Sequence, residues 1–136
     1  MSERRDVKLS SRIESVEEAA KEAEDFARQA GLGDEYIFAI DMAVRESVAN
    51  AVKHGNRFDE SKSIEVSFEL GSNAVSLTVR DYGSGFNSDS IPDPTNPENL
   101  LKANGRGILF MKTFMDEVEF MHPLGGGTAV KMLKKL

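Results

Sequence analysis

From Ile64 to Asp81 the chain reads as two strands and the turn between them, and this pattern constrains the fold more than any other. Ile64, Val66, Phe68 and Leu70 alternate with Ser63, Glu65, Ser67 and Glu69; Gly71-Ser72-Asn73 reverses direction, and Val75, Leu77 and Val79 resume period two. Residues two apart share one face of a strand, so the same period places Asp81 on the apolar side with Val75, Leu77 and Val79. A carboxylate in that position needs a hydrogen-bonding partner, and a ligand could be that partner.

The elements around this hairpin follow from periodicity. Val7 to Ile13 alternates weakly and predicts a first strand, after which Ser15 is placed as a helix N-cap with Glu18 as its capping-box partner. Val16, Ala19, Ala20, Ala23, Phe26, Ala27 and Ala30 recur at helical spacing, and Gly31 and Gly33 end that helix. A second helix is predicted from Asp34 to about His54, with Ile37, Ile40, Val44, Val48 and Ala51 on one stripe and Gly55 as a left-handed cap. The stretch from Gly83 to Gly107 holds all but one of the four prolines. Its length and composition suit a mobile lid, about residues 86–106. Gly105-Arg106-Gly107 then opens a third helix through Met111, Phe114 and Met115, and the strands Val118 to His122 and Thr128 to Leu133 flank Gly125-Gly126-Gly127. This order predicts an α+β, two-layer sandwich, with helices on one face of a mixed, mostly antiparallel sheet.

Composition narrows the function classes. A chain of 136 residues, 40% hydrophobic, suits one domain spanning residues 1–136. A formal charge of −6 argues against direct nucleic-acid binding, which relies on a surplus of Lys and Arg. There is no cysteine and there are two scattered histidines, so any metal would be held by oxygen. No stretch approaches the roughly 20 apolar residues that span a bilayer. A soluble cytoplasmic protein without a membrane partner is expected.

Four groups of residues could carry chemistry. At about 100° per residue, Glu46, Asn50 and Lys53 or His54 line one helix edge, bringing a carboxylate, an amide and a cationic group to one side. An amide oxygen with phosphate oxygens and water satisfies Mg²⁺, and Glu46 one turn earlier could accept a proton from an attacking hydroxyl or water. Asp81 with Gly83 and Gly85 suits an acceptor for an exocyclic amine, with glycines letting backbone approach a flat ring. Gly105-Arg106-Gly107 at a helix start favours phosphate, and Thr128 could place a hydroxyl near a base. Taken singly, each group has an ordinary alternative: a solvated polar stripe, a surface turn, a helix entry, a strand threonine. Their joint order and spacing point to a nucleotide site.

Together, Glu46…Asn50…His54-Gly55, Asp81-x-Gly83-x-Gly85-Phe86, Gly105-x-Gly107 and Gly126-Gly127-Thr128 resemble the ATP-binding domain of the GHKL superfamily. That superfamily includes histidine kinases, gyrase-type topoisomerases and bacterial anti-sigma-factor serine kinases. The match runs over nearly the whole chain. It is nearest to the anti-sigma-factor kinases, in its initial strand and helix, its compact lid, and Met115-Asp116-Glu117-Val118 after the third helix.

The resemblance implies a histidine-kinase-like ATPase fold that takes ATP and Mg²⁺. It implies that Asn50 ligates Mg²⁺, that Glu46 is the general base, and that Asp81 bonds the adenine amino group. Gly83 and Gly85 would shape the adenine pocket, with Thr128 in support. Gly105, Arg106 and Gly107 would meet the phosphates, and Lys53 and His54 complete the ATP-binding set. Too little chain precedes the asparagine helix for a dimerisation helix pair with a phosphoacceptor histidine. The expected function is therefore that of an anti-sigma factor and protein serine/threonine kinase. Such a protein, expected as a homodimer, sequesters a sigma factor and phosphorylates an anti-anti-sigma antagonist. Two alternatives remain at this point: an ATP-gated partner-binding switch without significant kinase activity, and a detached kinase ATPase domain acting in trans.

Overall fold

The computed structural model describes residues 3–83 and 111–136. The elements are β1 (Glu3–Ser10), α1 (Ser15–Gln29), α2 (Asp34–Asn50), one π-helical turn (Ala51–Gly55), β2 (Ser63–Leu70), β3 (Ala74–Arg80), β4 (Glu117–Met121) and β5 (Ala129–Lys135). Residues 111–114 are helical. The predicted lid and the entry to the third helix lie outside the described residues.

The strands form one sheet in the order β1-β2-β3-β5-β4. Every pairing is antiparallel, at the fully antiparallel end of what the sequence pattern predicts. Register aligns the apolar positions across the sheet: Val7 opposite Val66, Val66 opposite Val79, and Val79 opposite Val130. The resulting layer packs against α1 and α2 in a single core that includes Ala23, Phe26, Ile40, Val44, Phe68 and Leu77. Ser67, Thr78 and Lys131, also in register, line the opposite face. This is the α+β arrangement of two layers expected from the order of elements.

Small residues decide how the helices pack. Ala19, Ala20, Ala23 and Ala27 of α1 and Ala39 and Ala43 of α2 are buried, and this stripe of methyl groups lets the two axes approach closely. Above the sheet, Phe26 stacks on Phe68 with ring centroids 5.5 Å apart. α1 ends at Gly31, whose φ of +76° suits glycine, while Leu32 N–H returns to the Ala27 carbonyl at 3.0 Å.

Two local expectations are corrected. The first strand runs Glu3–Ser10 rather than Val7 to Ile13, because pairing to β2 extends from Glu3 opposite Leu70 to Ser10 opposite Ser63. Beyond it the chain bends at Ser11, which is fully buried. No capping box forms at α1: the Ser15 hydroxyl donates to the Ser10 carbonyl at 2.6 Å, and Glu18 pairs with Arg12 at 3.5 Å. A hydroxyl that reaches a carbonyl within the preceding bend leaves no oxygen pointed at the helix amides.

Phe68 is 1% exposed and joins the sheet to α1. Phe68→Ala should destabilise the fold by about 3–5 kcal/mol, read as a lower urea midpoint at unchanged m-value.

Candidate functional site

The end of α2 sets the geometry. After Asn50 the helix widens into the π turn, closed by Asn56 N–H on the Ala51 carbonyl at 2.8 Å. Such single wide turns recur at functional sites. Gly55 is not the left-handed cap that its position suggests, since positive φ falls instead on Arg57 (52°) and Phe58 (60°). Its lack of a side chain has another cause: a Cβ there would lie 2.2 Å from Asp81 Oδ2. The widened turn also breaks the predicted stripe. His54 lines the cleft beside the turn, whereas Lys53 is exposed and outside its lining.

Asp81 is 6% exposed, on the apolar side of the sheet as its strand period predicts. Its Oδ1 accepts from Gly83 N–H at 3.0 Å and, more weakly, from Thr128 N–H at 3.3 Å. The backbone N–H of Asp81 donates to the Thr128 carbonyl at 2.9 Å, tying the end of β3 to the start of β5. Two more glycines pack here. A Cβ on Gly83 would lie 1.9 Å from the Gly55 carbonyl oxygen, and one on Gly127, at φ +78°, would lie 1.9 Å from the Asp81 carbonyl oxygen. Three stretches of bare backbone thus close around one carboxylate. On the outer side, Arg80 donates to the Gly126 carbonyl at 3.1 Å and stacks 4.4 Å over the Tyr82 ring. The Tyr82 hydroxyl bonds Glu65.

Burial pushes the Asp81 carboxyl above the usual carboxylate range, an effect only partly offset by the Gly83 and Thr128 N–H groups. With both N–H groups on Oδ1, Oδ2 has no hydrogen bond among the described residues and is the acceptor left for a ligand's donor.

The cleft over Asp81 is lined by Asn50, His54, Gly55 and Thr128, over an apolar wall that includes Val79, Met111, Phe120 and Val130. The Asn50 side-chain nitrogen is buried and has no hydrogen-bond partner among the described residues. An orphaned amide facing a cleft suits a polar ligand such as a phosphate or its hydrated cation. Glu46 stands one turn before Asn50, half-buried and outside the cleft lining. Gly85, Gly105, Arg106 and Gly107 lie outside the described residues.

The apolar wall is the part that sequence reasoning missed. Val79 and Val130 sit two residues from Asp81 and Thr128 on their strands, so strand period alone could have placed them in the cleft. Met111 and Phe120 carried no such signal.

A family model described as a histidine kinase-like ATPase domain matches residues 9–134. The chain belongs to that family. The family implies ATP binding. Among curated proteins, the chain is similar to the anti-sigma F factor of Anoxybacillus flavithermus, 37% identical over 101 residues covering 71% of this chain and 68% of the relative. It is likewise similar to the anti-sigma F factor of Clostridium perfringens, 36% identical over 106 residues covering 75% of this chain and 74% of that one. In three dimensions it is similar to the crystal structure of the RsbU and RsbW domains of a Mycobacterium tuberculosis protein, with a TM-score of 0.73 over 98% of this chain. This chain spans 32% of that protein at 21% identity, a likeness of fold. Among the described residues, no helix is long and apolar enough to cross a membrane.

Two outcomes follow from the Asp81 environment. A carboxyl whose folded pKa lies above its unfolded value favours the fold while neutral, and that contribution is lost as pH rises from the ordinary range, about 4, through the raised value. Relative to Asp81→Asn, the ligand-free protein should therefore lose stability across that window, seen by comparing urea midpoints of the two proteins from acid to neutral pH. Gly83→Ala should destabilise by about 1–3 kcal/mol, because its methyl group must push the Gly55 backbone away; a melting curve superimposable on the unaltered protein would contradict this.

Proposed function

We propose that this chain is an ATP-binding anti-sigma factor and protein serine/threonine kinase, which sequesters a sigma factor and phosphorylates an anti-anti-sigma antagonist on serine. The observation that carries the nucleotide half is Asp81, a buried carboxylate with one oxygen engaged by two backbone N–H groups and the other left to accept from an amine. The similarity to anti-sigma F factors supports the partner half. The working unit is proposed to be a cytoplasmic homodimer.

In this reading Asp81 Oδ2 accepts from the adenine amino group, and the apolar wall of Val79, Met111, Phe120 and Val130 contacts the base. Thr128 and Gly83 support Asp81 through their N–H groups. Asn50 offers its amide to a hydrated Mg²⁺, which when bound neutralises phosphate charge. Among the described residues no three His, Asp or Glu side chains converge on a metal position, so most ligands would be phosphate and water oxygens. His54 faces the same cleft, with Lys53 further out, and Gly85, Gly105, Arg106 and Gly107 are proposed on the phosphate side. Glu46 takes the proton of the attacking serine hydroxyl. The serine oxygen bonds to the terminal phosphorus as the bond to the bridging oxygen breaks, leaving ADP and phosphoserine.

The position of Glu46 outside the cleft lining favours a second reading, an ATP-gated partner-binding module without significant kinase activity. Transfer of labelled γ-phosphate to candidate antagonists separates the two. Glu46→Ala should keep ATP affinity within about twofold and lower transfer by about 10²–10⁴-fold. Transfer at the unaltered rate would remove Glu46 from its role as base, and absence of transfer by the unaltered protein, despite ATP and partner binding, would leave the switch module. Asn50→Ala should abolish the Mg²⁺-dependent gain in ATP affinity, measured by calorimetry with and without the ion.

A further inference from the structure

Asn56 follows the π turn and is 2% exposed, yet it is polar and none of the roles above uses it. All four of its hydrogen-bonding groups are engaged. Its backbone N–H closes the π turn on the Ala51 carbonyl at 2.8 Å, and its carbonyl accepts from Asp59 N–H at 3.1 Å. Its side-chain Oδ1 accepts from Tyr82 N–H at 2.9 Å, and its Nδ2 donates to the Ser63 carbonyl at 3.0 Å. One planar amide therefore spans the first residue of β2 and the residue after Asp81, from the end of the helix that carries Asn50.

The bond to Tyr82 is half of a two-part contact. One residue earlier on the helix side, and one later on the strand side, the Gly55 carbonyl and Gly83 meet so closely that no Cβ fits between them. Gly83 in turn supplies the N–H that holds Asp81 Oδ1. The chain then leaves Asn56 through two consecutive left-handed residues, Arg57 and Phe58, a conformation that persists only where neighbouring contacts over-determine it. An amide is the one short side chain that places a donor and an acceptor on opposite ends of a single plane. Asp lacks the donor, and Ser has only one oxygen to serve both strands.

We propose that Asn56 is the positioning residue of the base-binding end of the cleft, its amide locking backbone 81–83 against the π turn so that Asp81 is held where a nucleobase amine meets it. This rests on the reading of the cleft as an adenine-nucleotide site and adds to it a residue that does not touch the nucleotide. Its effect is confined to one end of the ligand. Asn50, which faces the phosphate side, stands before the π turn and is held by α2, whereas the strand ends depend on the Asn56 bridge.

Calorimetry with AMP and with ATP in Mg²⁺ tests this, since the two share a base and differ in phosphates. Asn56→Ala leaves a strand N–H and a strand carbonyl without their partner and should weaken both nucleotides by a common factor of about ten or more, with the ATP-to-AMP affinity ratio unchanged. Asn56→Asp keeps the acceptor for Tyr82 N–H and loses the donor to Ser63, so it should fall between Asn56→Ala and the unaltered protein; it also serves if Asn56→Ala fails to fold. A general loss of structure would not grade the two variants this way while preserving the ratio. If ATP binding falls while AMP binding holds, or if folded variants bind both nucleotides as the unaltered protein does, the inference is overturned and the nucleotide reading stands. If the unaltered protein takes up neither nucleotide, both fall together.

Discussion

A single buried carboxylate organises this molecule. Asp81 ends a strand whose side chains otherwise face the core, and removing it from water is unfavourable unless hydrogen bonds replace hydration. Two backbone N–H groups meet one of its oxygens, from Gly83 just beyond β3 and from Thr128 just before β5. For those amides to reach it, the backbone must come closer than any side chain allows. That is why Gly55, Gly83 and Gly127 surround it, each at a spot where a methyl group would overlap a neighbouring atom. The glycines and the carboxylate form one packed unit drawn from the helix end, the β3 end and the β4–β5 turn.

The rest of the fold brings these three segments together. The antiparallel register from β2 through β3 to β5 aligns Val66, Val79 and Val130 and so sets Asp81 beside Thr128. The alanine stripe between α1 and α2, with Phe26 on Phe68, fixes the height of α2 above the sheet. At that height the helix end can touch the strand ends, and Asn50 and Asp81 border one cleft although thirty-odd residues separate them along the chain. Membership of the histidine kinase-like ATPase family agrees with this architecture over most of the chain.

What could be read in the sequence was what local periodicity controls. The β2–β3 hairpin, the inward-facing Asp81 and the end of α1 at Gly31 all follow from spacing within one element, and the structure has them. Three features escaped because their cause lies elsewhere in space. Gly55 resembles a helix cap in sequence, but its reason is the Asp81 side chain, contributed by another strand. Ser15 and Glu18 have capping-box spacing, yet the bend at Ser10 and Ser11 captures the hydroxyl first. Lys53 was placed by assuming 3.6 residues per turn through a segment that abandons that period. The cleft's apolar wall was hidden for a different reason: Met111 and Phe120 look like any core residue until the fold shows which cavity they border.

The π turn between Ala51 and Gly55 accommodates one residue more than an α-helical turn would. Deleting any one residue there would restore regular winding and swing everything after it by about 100° around the axis, taking Gly55 off the carboxylate. Along this stretch, chain length is as much a determinant as chemistry. A homologue one residue shorter at this point would have to build its pocket in another way, however well its flanking residues agreed.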